Sequence, residues 1–195
     1  MALINEAAFL LAIDAASGDM APVLAFADWL DSGNDPRGEY VRLLMILETP
    51  EAVGLWPSVR VCLRELRPGI NPDWTEQVGR RLLRWRRPLW SALGDLFLDQ
   101  DSEVDGTYPF VASRVADSIY TPAGVRAILW DEVFPAVEWN RRHPCGEWTP
   151  FPEDWLEARI LSVSPWPTAA DSPEIARWVR KDWEAVCRHL PPDFR

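Results

Sequence analysis

"FADWLDSGNDPRGEYVRLL", residues 26–44, decides how this chain is read. Before Ser32-Gly33-Asn34, the apolar residues Leu24, Ala27 and Leu30 recur about one helical turn apart. After it, Tyr40, Leu43, Leu44 and Leu47 fall at i, i+3, i+4 and i+7, the stripe of an amphipathic helix. Between them, Asp35-Pro36 is a restart signal. A carboxylate can accept from free helix amides, and proline's missing N–H costs nothing in a first turn. The stretch therefore predicts two helices joined by a bend.

The same bend is rich in chemistry-bearing side chains. Asp28, Asp31, Asp35 and Glu39 could gather around a divalent cation, but their spacing is not that of an EF-hand loop. Asp35 is better placed as a helix cap, and Gly38, early in its helix, implies close backbone packing or access. The reading is mainly structural, with Asp28, Trp29, Asp35, Arg37 and Glu39 as candidate contacts for a protein partner.

Working outward, the punctuation stays helical. Asn5 caps a first helix with Phe9, Leu10 and Ile13 on one face, ending near Ser17-Gly18, and Asp19 caps the second ahead of Pro22. Thr49-Pro50 ends the third. Short helices come next over 58–66 and from Asp73, with Pro68, Gly69 and Pro72 between them. Pro88 is expected to divide the arginine-rich segment from "LWSALGDLFLD" at 89–99. Past an acidic loop at 99–105, helices open at Tyr108-Pro109, at Thr121-Pro122 and near Pro152, and Ser172-Pro173-Glu174 starts the last. Ile175, Val179, Val186 and Leu190 mark the inner face of that last helix. Residues 158–164, "ARILSVS", could form a short strand, but no period-2 segment with hairpin turns appears. The expected fold is all-α: a three-helix unit at 1–48, a helical connecting region at 49–85 and a larger, irregular helical domain at 86–195.

Composition narrows the function. The formal net charge is -10, which opposes phosphate backbones and anionic lipid. No run approaches the ~20 apolar residues that span a bilayer. The N-terminus lacks the basic region of a secretory signal, and three widely spaced cysteines suit reduced thiols in a cytoplasm. Twelve tryptophans are the oddest feature. Most should be packing residues, with a few left to anchor an interface, Trp148 among them.

Two further segments carry candidate chemistry. In "RRLLRWRRPLW", residues 80–90, Arg80, Arg81, Arg84, Arg86 and Arg87 interleave with Trp85. That is the recipe for phosphate contacts with base stacking. If the segment is one helix, 80, 84 and 87 share a face. In "HPCGEW", residues 143–148, His143 and Cys145 are too few for a zinc site and badly spaced for a nucleophile and its base. No phosphate loop, dinucleotide fingerprint, nucleophile elbow or metalloprotease motif is present. With two histidines in the chain, acid–base catalysis would rest on carboxylates such as Asp28, Asp35, Glu39, Glu132 and Glu147. The expectation is a protein that is not an enzyme, with no cofactor and no metal.

Residues 6–43, through "ADWL" at 27–30 and "DPRGEYVRL" at 35–43, resemble the repeat-companion domain, an uncharacterised module of environmental bacteria. Residues 63–80 resemble the segment that can come after it. The second half resembles another uncharacterised bacterial family of small helical proteins. That resemblance rests on "ALGDLFLDQD" at 92–101, "ILWDEVFPAVEWN" at 128–140 and "GEWTPFPEDWLEARI" at 146–160. It implies a modular bacterial protein with no catalytic residues to carry over. The expected function is protein binding, as an adaptor, regulator or immunity-type protein. Nucleic-acid binding through residues 80–90 and a carboxylate enzyme are the alternatives.

Overall fold

In the computed structural model, which describes residues 5–16, 18–98, 106–143, 145–162 and 168–194, the opening bend is a helix–turn–helix. Helix α1 (Glu6–Ala15) starts where the Asn5 side chain accepts from the Ala8 N–H. In α2 (Ala21–Ser32) the Asp19 carboxylate accepts from the Ala21 N–H at 2.9 Å, and Pro22 sits in the first turn. The inner face of α2 is Val23, Phe26, Ala27 and Leu30, whereas Leu24 lies 45% exposed, one position off the expected stripe. Asn34 takes the left-handed conformation, φ 57°, that turns the chain toward α3 (Arg37–Glu48). Asparagine tolerates that region better than most residues.

Asp35 lies two residues before α3, and Pro36 is its boundary. The carboxylate still caps: Oδ1 accepts from the Arg37 N–H at 3.0 Å, while Oδ2 accepts from the Arg37 guanidinium. Tyr40, Leu44 and Leu47 are buried as expected, with Val41, and Leu43 is only half-buried.

Chain contacts divide the molecule into Met1–Arg84 and Trp85–Arg195. The segment expected to be a connector therefore belongs, as far as Arg84, to the first unit. A 3-10 stretch, Pro50–Leu55, leads into α4 (Trp56–Leu66), and Asn71 caps α5 (Pro72–Leu82). Trp56, Leu63 and Trp74 are buried in this unit's core. The Trp56 N–H donates to the Ile46 carbonyl, and the Trp74 ring lies near Phe26 and Tyr40. An indole with its N–H satisfied contributes its full apolar area to a core.

The second unit opens with α6 (Arg86–Gly94). Pro88 does not divide the segment: it sits in the first turn of α6, where no amide is needed. The break falls earlier, after Leu82, so residues 80–90 never form one helix and 80, 84 and 87 share no face. Then come α7 (Thr107–Ala116) and α8 (Pro122–Ile128), the latter capped by the Thr121 hydroxyl. A π-helical stretch, Leu129–Val133, runs into the short α9 (Phe134–Val137). Pro135 has no N–H for the carbonyl four residues back, and its ring crowds that turn, which accounts for the widening.

A 3-10 stretch, Glu138–Arg142, precedes α10 (Glu153–Ser162) and α11 (Pro173–His189). The expected strand is overturned as far as Ser162, which is helical; 163 and 164 lie outside the described residues. Ser172 does not cap α11. Its hydroxyl donates to Glu138 Oε2 at 3.1 Å instead. Ile175, Val179, Val186 and Leu190 are buried as expected. Among the described residues there is no strand, so the fold is all-α, and no described helix is long and apolar enough to cross a membrane. The acidic loop at 99–105, Ser17 and Trp166 lie outside the described residues.

Candidate functional site

The bend at 26–44 is mostly committed to its own unit. Arg42 donates to Asp28 Oδ1 at 2.6 Å and to Asp31 Oδ2 at 2.5 Å. Arg37 pairs with Asp35 and with Glu6, and its guanidinium lies 4.9 Å from the Trp74 ring centre. The Trp74 N–H donates to Glu6 in turn. Trp29 packs against Phe9 and Phe26. Gly38 is where α2 and α3 touch: a Cβ there would collide with Asp31 Oδ1 and stand 2.9 Å from the Ala27 carbonyl oxygen. The motif residues thus act as caps, ion pairs and a close-packing glycine. What stays open is a shallow acidic recess of about 390 Å³ lined by Asp31, Asn34, Asp35, Pro36 and Glu39. Among the described residues, no three or more His, Cys, Asp or Glu groups are placed to hold an ion together.

The arginine segment scatters. Arg80 pairs with Glu76, and Arg81 with Asp14. Arg86 is fully buried and bidentate to Glu132, at 3.1 and 3.3 Å, while the Trp90 N–H donates to the same carboxylate at 2.7 Å. Arg87, also buried, faces Glu153, Asp154 and Glu157 of α10. Arg84 and Trp85 remain exposed.

The surface least explained by packing lies in the second unit. Trp148 is 75% exposed, although Gly146 and Glu147, which lead into it, are fixed. The buried Asn140 carboxamide accepts from the Glu147 N–H at 2.7 Å, donates to the Glu147 carbonyl at 2.9 Å and donates to the Phe97 carbonyl at 2.9 Å. Gly146 is required here, because a Cβ would stand 2.5 Å from the Asn140 carbonyl oxygen.

Beside this clamp lies a groove of about 470 Å³ lined by Trp139, Glu147, Thr149, Pro150, Phe151, Pro152 and Trp155. Phe151 stacks on Trp155 with ring centres 5.5 Å apart, and the Trp139 N–H is fixed to the Ala136 carbonyl. A preformed aromatic groove with a few polar groups is the ordinary form of a binding site. Another recess, about 520 Å³ at the start of α11, is lined by Arg141, Arg142, Ser172 and Trp178 among others. Its arginines are already tied inward, Arg142 to Glu138 and Arg141 to Asp182 and the Leu96 carbonyl.

A family model described as a domain of unknown function (DUF7079) matches residues 84–189, more than half of the chain. The chain belongs to this family. The DUF7079 match contains the whole groove, Trp148 and the Asn140 clamp, and it leaves out the bend at 26–44. No curated protein and no solved structure matches the chain.

Of the residues singled out from sequence, Trp148 and Glu147 lie at this surface; Asp28, Trp29, Asp35, Arg37 and Glu39 belong to the other unit. Sequence reading missed Trp139, Asn140, Phe151 and Trp155 as site residues. The signal was there in "GEWTPFPEDW", where prolines alternate with aromatics behind a glycine. Most tryptophans were expected to pack, with a few left exposed. Trp56, Trp74 and Trp90 are buried and Trp29, Trp130, Trp139 and Trp183 half-buried, whereas Trp85, Trp148, Trp155 and Trp178 are exposed. Asp95, at the start of a 3-10 turn, was missed too. Burial pushes its carboxyl up to about 6, and its Oδ1 is buried without a hydrogen bond.

Proposed function

We propose that this chain is a non-catalytic protein-binding module, of adaptor, regulatory or immunity type, whose docking surface is the aromatic groove together with Trp148. The observation that carries the reading is Trp148 itself: a large apolar ring held out to solvent on backbone that Asn140 pins. Tryptophan is enriched among the few residues that supply most interface energy, and a rigid anchor loses little entropy on binding. Residues 6–43 are proposed as a repeat-companion unit, with Asp28 and Glu39 as its exposed contacts. The free thiols of Cys62, Cys145 and Cys187 suit a reducing cytoplasm.

Nucleic-acid binding has less to work with, since Arg86 and Arg87 are turned inward and the net charge is -10. A carboxylate enzyme has little support either. Asp28, Asp35 and Glu132 are paired with arginines, and Glu39 and Glu147 lie open to solvent.

The test is affinity capture with mass spectrometry, comparing wild type with Trp148→Ala and with Asp28→Asn/Glu39→Gln. A specific protein lost with Trp148→Ala and kept by the other variant supports the reading. A partner that persists with Trp148→Ala moves the interface off this surface. Catalytic turnover that co-purifies with the protein ends the non-catalytic reading.

A further inference from the structure

We infer that the groove between Trp139, Phe151 and Trp155 takes the guanidinium of an arginine from a basic partner segment, with Glu147 as its counter-charge. The inference rests on the docking role proposed for this surface and names the chemistry it selects.

The protein's own interior supplies the precedent. Arg37 lies over the Trp74 ring while pairing with Glu6 and Asp35. Arg86 lies 5.1 Å from the Tyr120 ring centre while pairing with Glu132. Each is a three-part unit of guanidinium, aromatic face and carboxylate. Arginine suits it because its planar, weakly hydrated cation stacks on a ring and forks onto a carboxylate at once.

The groove holds two of the three parts. Its walls are aromatic, and among the described residues Glu147 is the one charged side chain in its lining. The nearby carboxylates of α10 are already served, since Glu153, Asp154 and Glu157 all face Arg87. The Glu147 carboxylate has no hydrogen bond or ion pair to any described residue, although its backbone is clamped on both sides by Asn140. A volume of about 470 Å³ admits one long side chain with part of its backbone. The net charge of -10 favours a basic partner over an acidic one.

The test is a titration of the isotope-labelled full chain, following tryptophan indole N–H resonances assigned with Trp139→Phe and Trp155→Phe. The probes are N-acetyl-arginine amide and the neutral N-acetyl-norleucine amide. The expected result is a saturable shift of the Trp139 and Trp155 signals with the arginine probe only, weakened at least threefold by Glu147→Gln. Equal shifts with both probes, no saturable shift, or an unchanged response in Glu147→Gln would overturn the inference. Glu147 is exposed, so that variant keeps its fold. Partner capture separates the two levels. Loss with Trp148→Ala but not with Glu147→Gln leaves docking standing and removes the arginine, whereas capture unchanged by either removes both.

Discussion

The two units of this chain place their arginines and tryptophans differently. In Met1–Arg84, the arginines pair with carboxylates at or near the surface, as in Arg42–Asp28, Arg80–Glu76 and Arg37–Asp35, while Trp56 and Trp74 are buried. In Trp85–Arg195, Arg86 and Arg87 are inside with Glu132 and Glu157, and Trp90 is buried beside Glu132, while Trp85, Trp148, Trp155 and Trp178 are outside. The second unit thus buries two arginines with their carboxylates and leaves four of its tryptophans exposed. Exposed ion pairs contribute about 0–1 kcal/mol. Buried ones are costly to assemble and very costly to break. The difference makes the second unit the one with a surface to explain.

The sharpest way to break this comparison is Arg86→Ala. It strands Glu132 in the core, and the expected loss of stability is about 3–5 kcal/mol, read from denaturant unfolding. A loss below about 1 kcal/mol would show that the pair is no more than a surface bridge, and the contrast would go. In the first unit, Gly38→Ala forces α2 and α3 apart at the Ala27 carbonyl. The expected cost is about 1–3 kcal/mol, and an unchanged midpoint would mean that the helices separate freely there.

Asp35→Ala should cost about 1 kcal/mol as a lost cap. Hydrogen bonding to Arg37 holds the Asp35 carboxyl below its usual range. Its folded pKa lies below its unfolded one, so the contribution is present above about pH 3.8 and lost as pH falls through the folded value. A loss of the same size well below that pH would point to packing rather than charge.

Asp95 has the opposite sign. Its folded pKa is raised to about 6 from 3.8, so its neutral form suits the fold. Its contribution is most favourable below about pH 3.8 and declines as pH rises through about 6. Asp95→Asn should therefore raise the unfolding midpoint at pH 7 and leave it nearly unchanged at pH 4. The smallest effect is expected at Trp148, where Trp148→Ala should change stability by less than about 0.5 kcal/mol. A larger loss would make the ring a packing residue and undo the anchor role proposed for it.

Much of the helical order was legible because it is local. Asn5, Asp19 and Thr121 accept from amides within three residues. Such signals need no knowledge of the rest of the chain. Pro88 misled because a proline in a first turn and a proline that ends a helix look alike until the helix start is known. Ser172-Pro173 does mark the start of the last helix, but that the Ser172 hydroxyl would bond Glu138, 34 residues away, is nothing a local signal carries.

The candidate site was legible only at its tip. Trp148 stood out as one tryptophan among twelve, but nothing in the spacing said that Asn140 would clamp the backbone before it. The arginines of 80–90 looked like one basic patch because sequence cannot say which way a side chain faces. What the sequence by itself determined is the all-α class, most helix starts and stops and the inner face of the last helix, since these come from amide capping and the 3.6-residue period. Which charges are buried, which tryptophans are exposed and which carboxylate is left without a partner was decided by tertiary structure. Each of those depends on groups brought together across tens of residues, as Arg86 and Glu132 are, with no fixed spacing to announce them.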